Sequence, residues 1–509
     1  MLVLVSSVAS SRLRAAAHFS SPMIGALLAA ASLADWRSSF STGRYDVAIV
    51  GSGPKESLLA GLLAASGRTV LQLEPSEAAG GVGTTLDLQE LSERCGAEGE
   101  LNPTKVGEPA EWAVDGGGAK VLMAGGQTLR MLVACGAWSH LDFRRVQRSL
   151  IYRKKEDGAK DVHRVLANVE DALKTRSLPA LEKARVVQFF YWLEKFDEAD
   201  ASTWSIPSVS GFMNMVQGKK TPRLKMKKLS APALLAKWEL GPSTVNMLVR
   251  GMALHAGALK ELSALALVRK LKAYKDSYKT FPHMTSPYVY PREGLGAALP
   301  KAVGKVLGDN GGALELGVPL EGLVLDDAGR CVGVRAGGES VAADCVVAGA
   351  DHVPEHASEA HKVVRLFAVL NHPPQMCKDA RSCQLLLPAA QVGRESDAYL
   401  FSATSTHRVA PGGYWLAVAS AKVEGATDGL NAMQVAKREL KAALPLLKPA
   451  RKLFAEMTTV SEASDGLPAG LHVLSTGGAE SHLLTTADDV RKMYEEITGE
   501  PLDELIDDY

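Results

Sequence analysis

The stretch Tyr45–Gly81, YDVAIVGSGPKESLLAGLLAASGRTVLQLEPSEAAGG, decides how the rest of the chain is read. Tyr45 to Val50 is a short apolar run of the kind found in a buried parallel strand. Gly51-Ser52-Gly53 supplies a tight turn. Leu58, Leu59, Leu62 and Leu63 then recur at helical spacing, and Gly67 stands where a helix C-terminus is capped. A second strand, Thr69 to Leu73, ends at Glu74. Strand, glycine turn, helix, strand and acid, in that order, open a dinucleotide-binding fold. Gly51 and Gly53 let a pyrophosphate approach the helix N-terminus, and Glu74 is placed for a ribose hydroxyl. The third glycine of the pattern is replaced by Glu56, whose carboxylate would repel phosphates. The segment predicts the fold and argues against an intact nucleotide site.

The 509 residues suffice for two domains or one elaborate one. Lys and Arg number 57 against 57 Asp and Glu, so no overall field draws the chain to nucleic acid or an anionic membrane. No run reaches the roughly 18 apolar residues of a transmembrane helix. Six cysteines without a CxxC pair suggest a reducing compartment and buried, inert thiols. Residues 1–44 stand apart, rich in Ser and Ala, with Arg12, Arg14, Arg37 and Arg44 against Asp35. They resemble an organellar transit peptide; a signal-peptide core from Met23 or a disordered tail are the alternatives.

Two more sheet-like segments flank a helix expected from Gln127 to Cys135, and 153–160, RKKEDGAK, reads as a charged turn at a boundary. From 161 to 275 helical periodicity dominates. Val186, Phe189, Phe190, Leu193 and Phe196 share a face, and further helices are expected over Val245–Ala258 and Leu262–Tyr274. Gly218–Lys228 is a basic loop, solvated or facing acidic phospholipid or an acidic partner. Sheet pattern resumes near 276, with strands at about 363–372, 383–388, 398–405 and 413–424, expected to be antiparallel. Thr485-Thr486 reads as the cap of a last helix. The expected class is α/β: an FAD/NAD(P)-binding-like sheet domain over 45–160 and 276–509, with an inserted, mostly helical domain over 161–275. No HExxH, GxSxG or P-loop appears. His140, His255, His283 and His407 read as core or surface residues, not metal ligands.

YDVAIVGSG, LMAGGQTLRMLV, SPYVYPREGLGAALP, SCQLLLPAAQVGRESDAY with GYWLAVASAKVE, and TTADDVRKMYEEITG together resemble the Rab GDP dissociation inhibitor and Rab escort protein family, in order and spacing. The resemblance implies a non-enzymatic protein without a cofactor. It would bind prenylated, GDP-bound Rab-type small GTPases and draw them off membranes in vesicle-mediated transport. It implies a partner platform on the sheet domain, at Glu111, Trp112, Gln127, Arg292, Glu293 and Lys305. Trp112 and Asp115 also read as a packing and a turn residue. The resemblance places a lipid pocket in the helical domain, for which Phe190, Leu193, Met247 and Met252 are the candidates, each buried lipid CH₂ being worth about 0.8 kcal/mol. Phe281 and Met284 fall in a loop expected to make transient contact with membrane or a receptor, or simply to pack.

The chain departs from the family pattern at Ala78-Ala79, Gly107–Glu111, Ala297-Ala298, Lys305 and Ala313-Leu314, where charged or aromatic anchors are expected. Lysine does not reproduce a bidentate arginine contact. Two alternatives follow. One is an FAD-dependent oxidoreductase with Gly51, Gly53 and Glu74 holding the nucleotide, for which Gly477-Gly-Ala-Glu480 is a poor echo of the expected late Gly-Asp segment. The other is a scaffold subunit of an organellar complex. The resemblance implies the cytoplasm, and residues 1–44 a mitochondrion or plastid.

Overall fold

A computed structural model describes residues 43–506 apart from Glu98, 155–159, 176–177 and 207–222. The extension up to residue 42 and residues 218–222 of the basic loop lie outside the described residues.

Two seven-stranded sheets carry the architecture. In the first the order is β10 (Ala313–Leu316), β2 (Val70–Glu74), β1 (Tyr45–Val50), β13 (Glu339–Gly349), β12 (Cys331–Ala336) and β11 (Leu320–Leu325), with β19 (Leu471–Leu474) also on β13. β10, β2, β1, β13 and β19 are parallel, with Ile49 opposite both Gln72 and Val347. Parallel neighbours on both sides and helices over the face explain why Val47–Val50 is apolar without alternation: all four are buried. The helix Pro54–Ala65 crosses over with Leu58, Leu59, Leu62 and Leu63 fully buried, at about 1.5–3 kcal/mol each. Ser66 caps it, and Gly67 follows in the left-handed conformation expected of it.

The second sheet runs β18 (Lys452–Ala463), β14 (Ala357–Leu370), β17 (Trp415–Lys422), β16 (Ala398–Thr404), β15 (Ser382–Leu387), β7 (Arg148–Lys154) and β8 (Lys160–Arg164). The four late strands are antiparallel as expected, whereas β15 pairs β7 in parallel. β7 and β8 pair antiparallel, up to Lys154 opposite Lys160, so the segment read as helical begins with a strand; residues 155–159 of the charged turn lie outside the described residues. Small ladders, β3 (Thr85–Leu86) with β4 (Val114–Asp115), and β5 (Leu122–Met123), β9 (Tyr288–Pro291) and β6 (Phe143–Arg145), join the halves.

Three local expectations are corrected. Val245–Ala258 is not one helix: Pro242–Asn246 passes into a π-turn at Met247–Met252. At 3.6 residues per turn, positions five apart lie roughly 140° apart, and the wider turn lets both methionines face inward. Thr485 and Thr486 do not cap the helix Leu484–Thr498, which starts from Leu483 without a side-chain cap and holds Thr486 buried within it; a further helix, Leu502–Ile506, follows. Cys377 and Cys383 form a disulfide rather than two inert thiols, as their Cα atoms lie 6.0 Å apart across a short loop.

Candidate functional site

The glycine turn is folded for a nucleotide and filled by its own side chains. Gly51 takes φ 105°, and a Cβ there would lie 2.8 Å from His352 Nε2, so the turn admits glycine alone. Glu56, expected to point toward phosphates, folds back over it: a Cβ on Gly53 would sit 2.6 Å from its Oε2. Burial, with the Asp351 carboxylate nearby, pushes the Glu56 carboxyl up to about 7. Glu74 is closed off as well. Its Oε2 accepts from Ser52 N at 3.0 Å and Ser52 Oγ at 2.6 Å, and its Oε1 from Ser76 N at 3.0 Å. A ribose hydroxyl finds neither oxygen exposed.

A cavity of about 540 Å³ lies beyond the turn, between it and the second sheet, with Gly81, Gly118, Lys120, Arg365, Glu480 and His482 in its walls. Its cations serve the protein itself. Lys55 pairs with Asp489 at 2.5 Å and donates to Ser475 Oγ at 2.6 Å. Lys120 donates to the carbonyls of Gly478, at 2.8 Å, and Glu480, and burial lowers its ammonium to about 7. Arg365 donates to Gly117 O and Thr458 Oγ1. With a carboxylate over the turn and these donors engaged, the residues present do not fit a flavin dinucleotide.

Asp115 is the residue whose importance the sequence conceals. It is no simple turn residue: its buried carboxylate accepts from Thr85 Oγ1 at 2.7 Å, Tyr290 OH at 2.5 Å, Leu295 N at 2.8 Å and Gly296 N at 3.0 Å. Three separate segments meet on one side chain. Beside it the backbone closes so tightly that a Cβ on Gly296 would lie 2.0 Å from Gly83 O, and one on Gly80 2.2 Å from Gly296 O. That contact accounts for Gly80 and Gly296, and Gly294 is required because a Cβ there would lie 2.3 Å from Asp115 Oδ1. A Val-Asp pair and a PREGLG turn were both visible in the sequence, but nothing in it joined them.

This hub supports an exposed turn. Glu293 and Arg408 both hold left-handed backbones, at φ 64° and 52°, and their side chains pair at 2.9 Å in solvent. Glu293 N donates to His407 O, and Arg292 Nε lies 3.3 Å from Asp142. Glu111 is exposed close by, since Ala113 N reaches Val409 O, and Trp112 is buried edge-on to Tyr414 with centroids 6.0 Å apart. Four of the six expected platform residues therefore share one region. Gln127 instead faces the Arg491 guanidinium of the helix Leu484–Thr498, and Lys305 is exposed on the helix Ala298–Asp309.

Phe190, Leu193 and Met252 are fully buried in the filled core of the helical block, while Met247 also borders a cleft of about 620 Å³ with Ile151, Leu166 and Leu178. Phe281 stacks on Trp138 at 5.7 Å, which stacks on Phe143 at 4.5 Å, and Met284 is half-buried. His407 is buried, His255 half-buried, and His140 and His283 exposed.

A family model described as GDP dissociation inhibitor matches residues 41–507. The chain is 30% identical over 465 residues to guanosine nucleotide diphosphate dissociation inhibitor 2 of Arabidopsis thaliana, covering 91% of this chain and 97% of that protein. It is 27% identical over 462 residues to Rab GDP dissociation inhibitor beta of Rattus norvegicus, covering 90% and 96%. The crystal structure of a Rab GDI from Plasmodium falciparum superposes with a TM-score of 0.80 at 25% identity, over 91% of this chain and 100% of that one. An oxidoreductase from Methanosarcina mazei shares the fold, with a TM-score of 0.51 at 14% identity over 88% and 99%.

Proposed function

The chain belongs to the GDP dissociation inhibitor family, and from that premise we propose that it binds a prenylated, GDP-bound Rab-type GTPase and draws it off membranes. Like its family it is a regulator and not an enzyme. The observation that carries the reading is the Glu293–Arg408 turn. Two non-glycine residues held left-handed cost of order 1 kcal/mol each, and an exposed ion pair repays little of that. Such strain at a solvated, charged turn supports a surface shaped for a partner. The glycine turn, filled by Glu56, serves in this reading as a scaffold with no flavin.

The lipid belongs in the helical block. Glu239 and Leu254, left-handed at φ 48° and 47°, bracket the π-turn that carries Met247 and Met252. Strain at both ends of one segment supports a part that shifts, widening the Met247 cleft into the core. Phe281 reaches a bilayer by leaving Trp138.

Immobilised protein is expected to retain prenylated, GDP-loaded Rab at least about tenfold better than the GTP-loaded or unprenylated form. Glu293→Ala with Arg408→Ala should weaken that retention by about tenfold, the effect of one lost anchor pair. Equal retention of all Rab forms would end the reading. This cycle runs in the cytosol. A reporter fused to residues 1–44 should therefore stay there, and its import into an organelle would remove that localisation.

A further inference from the structure

Beside the Glu293 turn lies a second feature, built from residues other than the six expected at the platform. A cleft of about 880 Å³ runs between the Phe143–Arg148 segment and residues 375–380, over an apolar floor of Leu150, Met376 and Leu446. Arg144, Arg145, Arg148, Arg164 and Lys378 line it, against the carboxylates of Asp161 and Asp379. The chain as a whole is neutral, so this excess is a local concentration of charge. A concave wall focuses such a field.

The cations differ in what they already do. Arg148 pairs with Asp379, Arg145 donates to the His283 carbonyl, and Arg164 donates to Thr285 O at 2.8 Å. Arg144 is exposed, with Asp142 a distant 3.9 Å away. Lys378 is exposed and held left-handed at φ 50°, inside the loop that the Cys377–Cys383 disulfide closes. A strained backbone that presents an ammonium over a basic cleft is a second, independent sign of a binding site.

We propose that this cleft binds a multiply phosphorylated anion of the inositol polyphosphate type, free or as a lipid headgroup. Four of the five cations are arginine, whose planar fork matches phosphate oxygens two at a time. The volume exceeds that of one phosphate and accommodates several. Arg148 pairs with Asp379 and Arg164 lies 3.7 Å from Asp171, leaving Arg144, Arg145 and Lys378 as the cations that meet the ligand first. The site is independent of the GTPase reading and can be tested without a GTPase.

Calorimetric titration of the full chain with inositol hexakisphosphate, at about 0.15 M salt where the Debye length is about 8 Å, is the direct test. Saturable one-to-one binding is expected. Arg144→Glu with Lys378→Glu should weaken it at least about thirtyfold, because reversal replaces two attractions by two repulsions. Lys260→Glu with Lys492→Glu, an equal charge change at exposed positions outside the cleft, should leave it within about twofold. Flotation with phosphoinositide vesicles, against phosphatidylserine vesicles of equal charge, separates the sources. Binding to the soluble ligand assigns a free anion, and binding to phosphoinositide vesicles alone assigns a headgroup. No saturable binding in either arm, equal loss in the two variants, or equal flotation with phosphatidylserine overturns the proposal.

Discussion

Asp115→Ala is expected to lower the unfolding free energy by about 3–5 kcal/mol, the range for removing one partner from a buried charged cluster. Alanine leaves the Tyr290 hydroxyl and the N–H groups of Leu295 and Gly296 buried without their acceptor. Alanine also spares the folded state the desolvation of the carboxylate, which offsets part of that loss. Asp115→Asn keeps one acceptor but turns an amide N–H toward other donors, and should cost about 2 kcal/mol. Urea unfolding at neutral pH reads both. Because Gly294 and Leu295 follow Glu293 directly, the alanine variant should also weaken GTPase retention, and by more than the asparagine variant does. A loss below about 1 kcal/mol for alanine would mean that the hub is ornamental.

Glu56→Gln is expected to stabilise the protein increasingly as pH rises above about 4.5, with the full effect above about 7. Unfolded, the carboxyl titrates near 4.5; in the fold it keeps its proton to about 7. Between those values the native state binds more protons than the unfolded one, so wild-type stability falls as pH rises through the window. A difference of that size corresponds to about 3 kcal/mol. Glutamine cannot ionise and escapes the penalty. Other titrating groups, Lys120 among them, are common to both proteins and cancel in the difference. The two unfolding curves should therefore coincide near pH 4 and separate by about 3 kcal/mol at pH 8. A gap that does not change with pH would show that Glu56 ionises freely in the folded protein.

Much of the fold was legible because its signals are local. The apolar run Val47–Val50, the Gly51-Ser52-Gly53 turn and the leucines of the first helix each follow from residues within a few positions of one another, and the structure places them as read. The four strands read at about 363–372, 383–388, 398–405 and 413–424 are likewise antiparallel. Glu56 was conspicuous as a carboxylate where the pattern requires glycine, although its backward fold sets it beside Gly349 and Asp351, nearly three hundred residues away. The π-turn at Met247 was not legible, since its composition suits an ordinary helix and only packing against the core selects the wider turn.

By itself the sequence determined the βαβ opening, the mismatched acid in it, and a motif order that names the family, because periodicity and turn chemistry act between near neighbours. Only the tertiary structure decided that Asp115 gathers Thr85, Tyr290 and Leu295, that Glu293 meets Arg408, and that five cations from distant segments share one cleft. Those pairings join residues from tens to hundreds of positions apart, and a one-dimensional pattern carries no record of which distant side chains close packing will bring face to face.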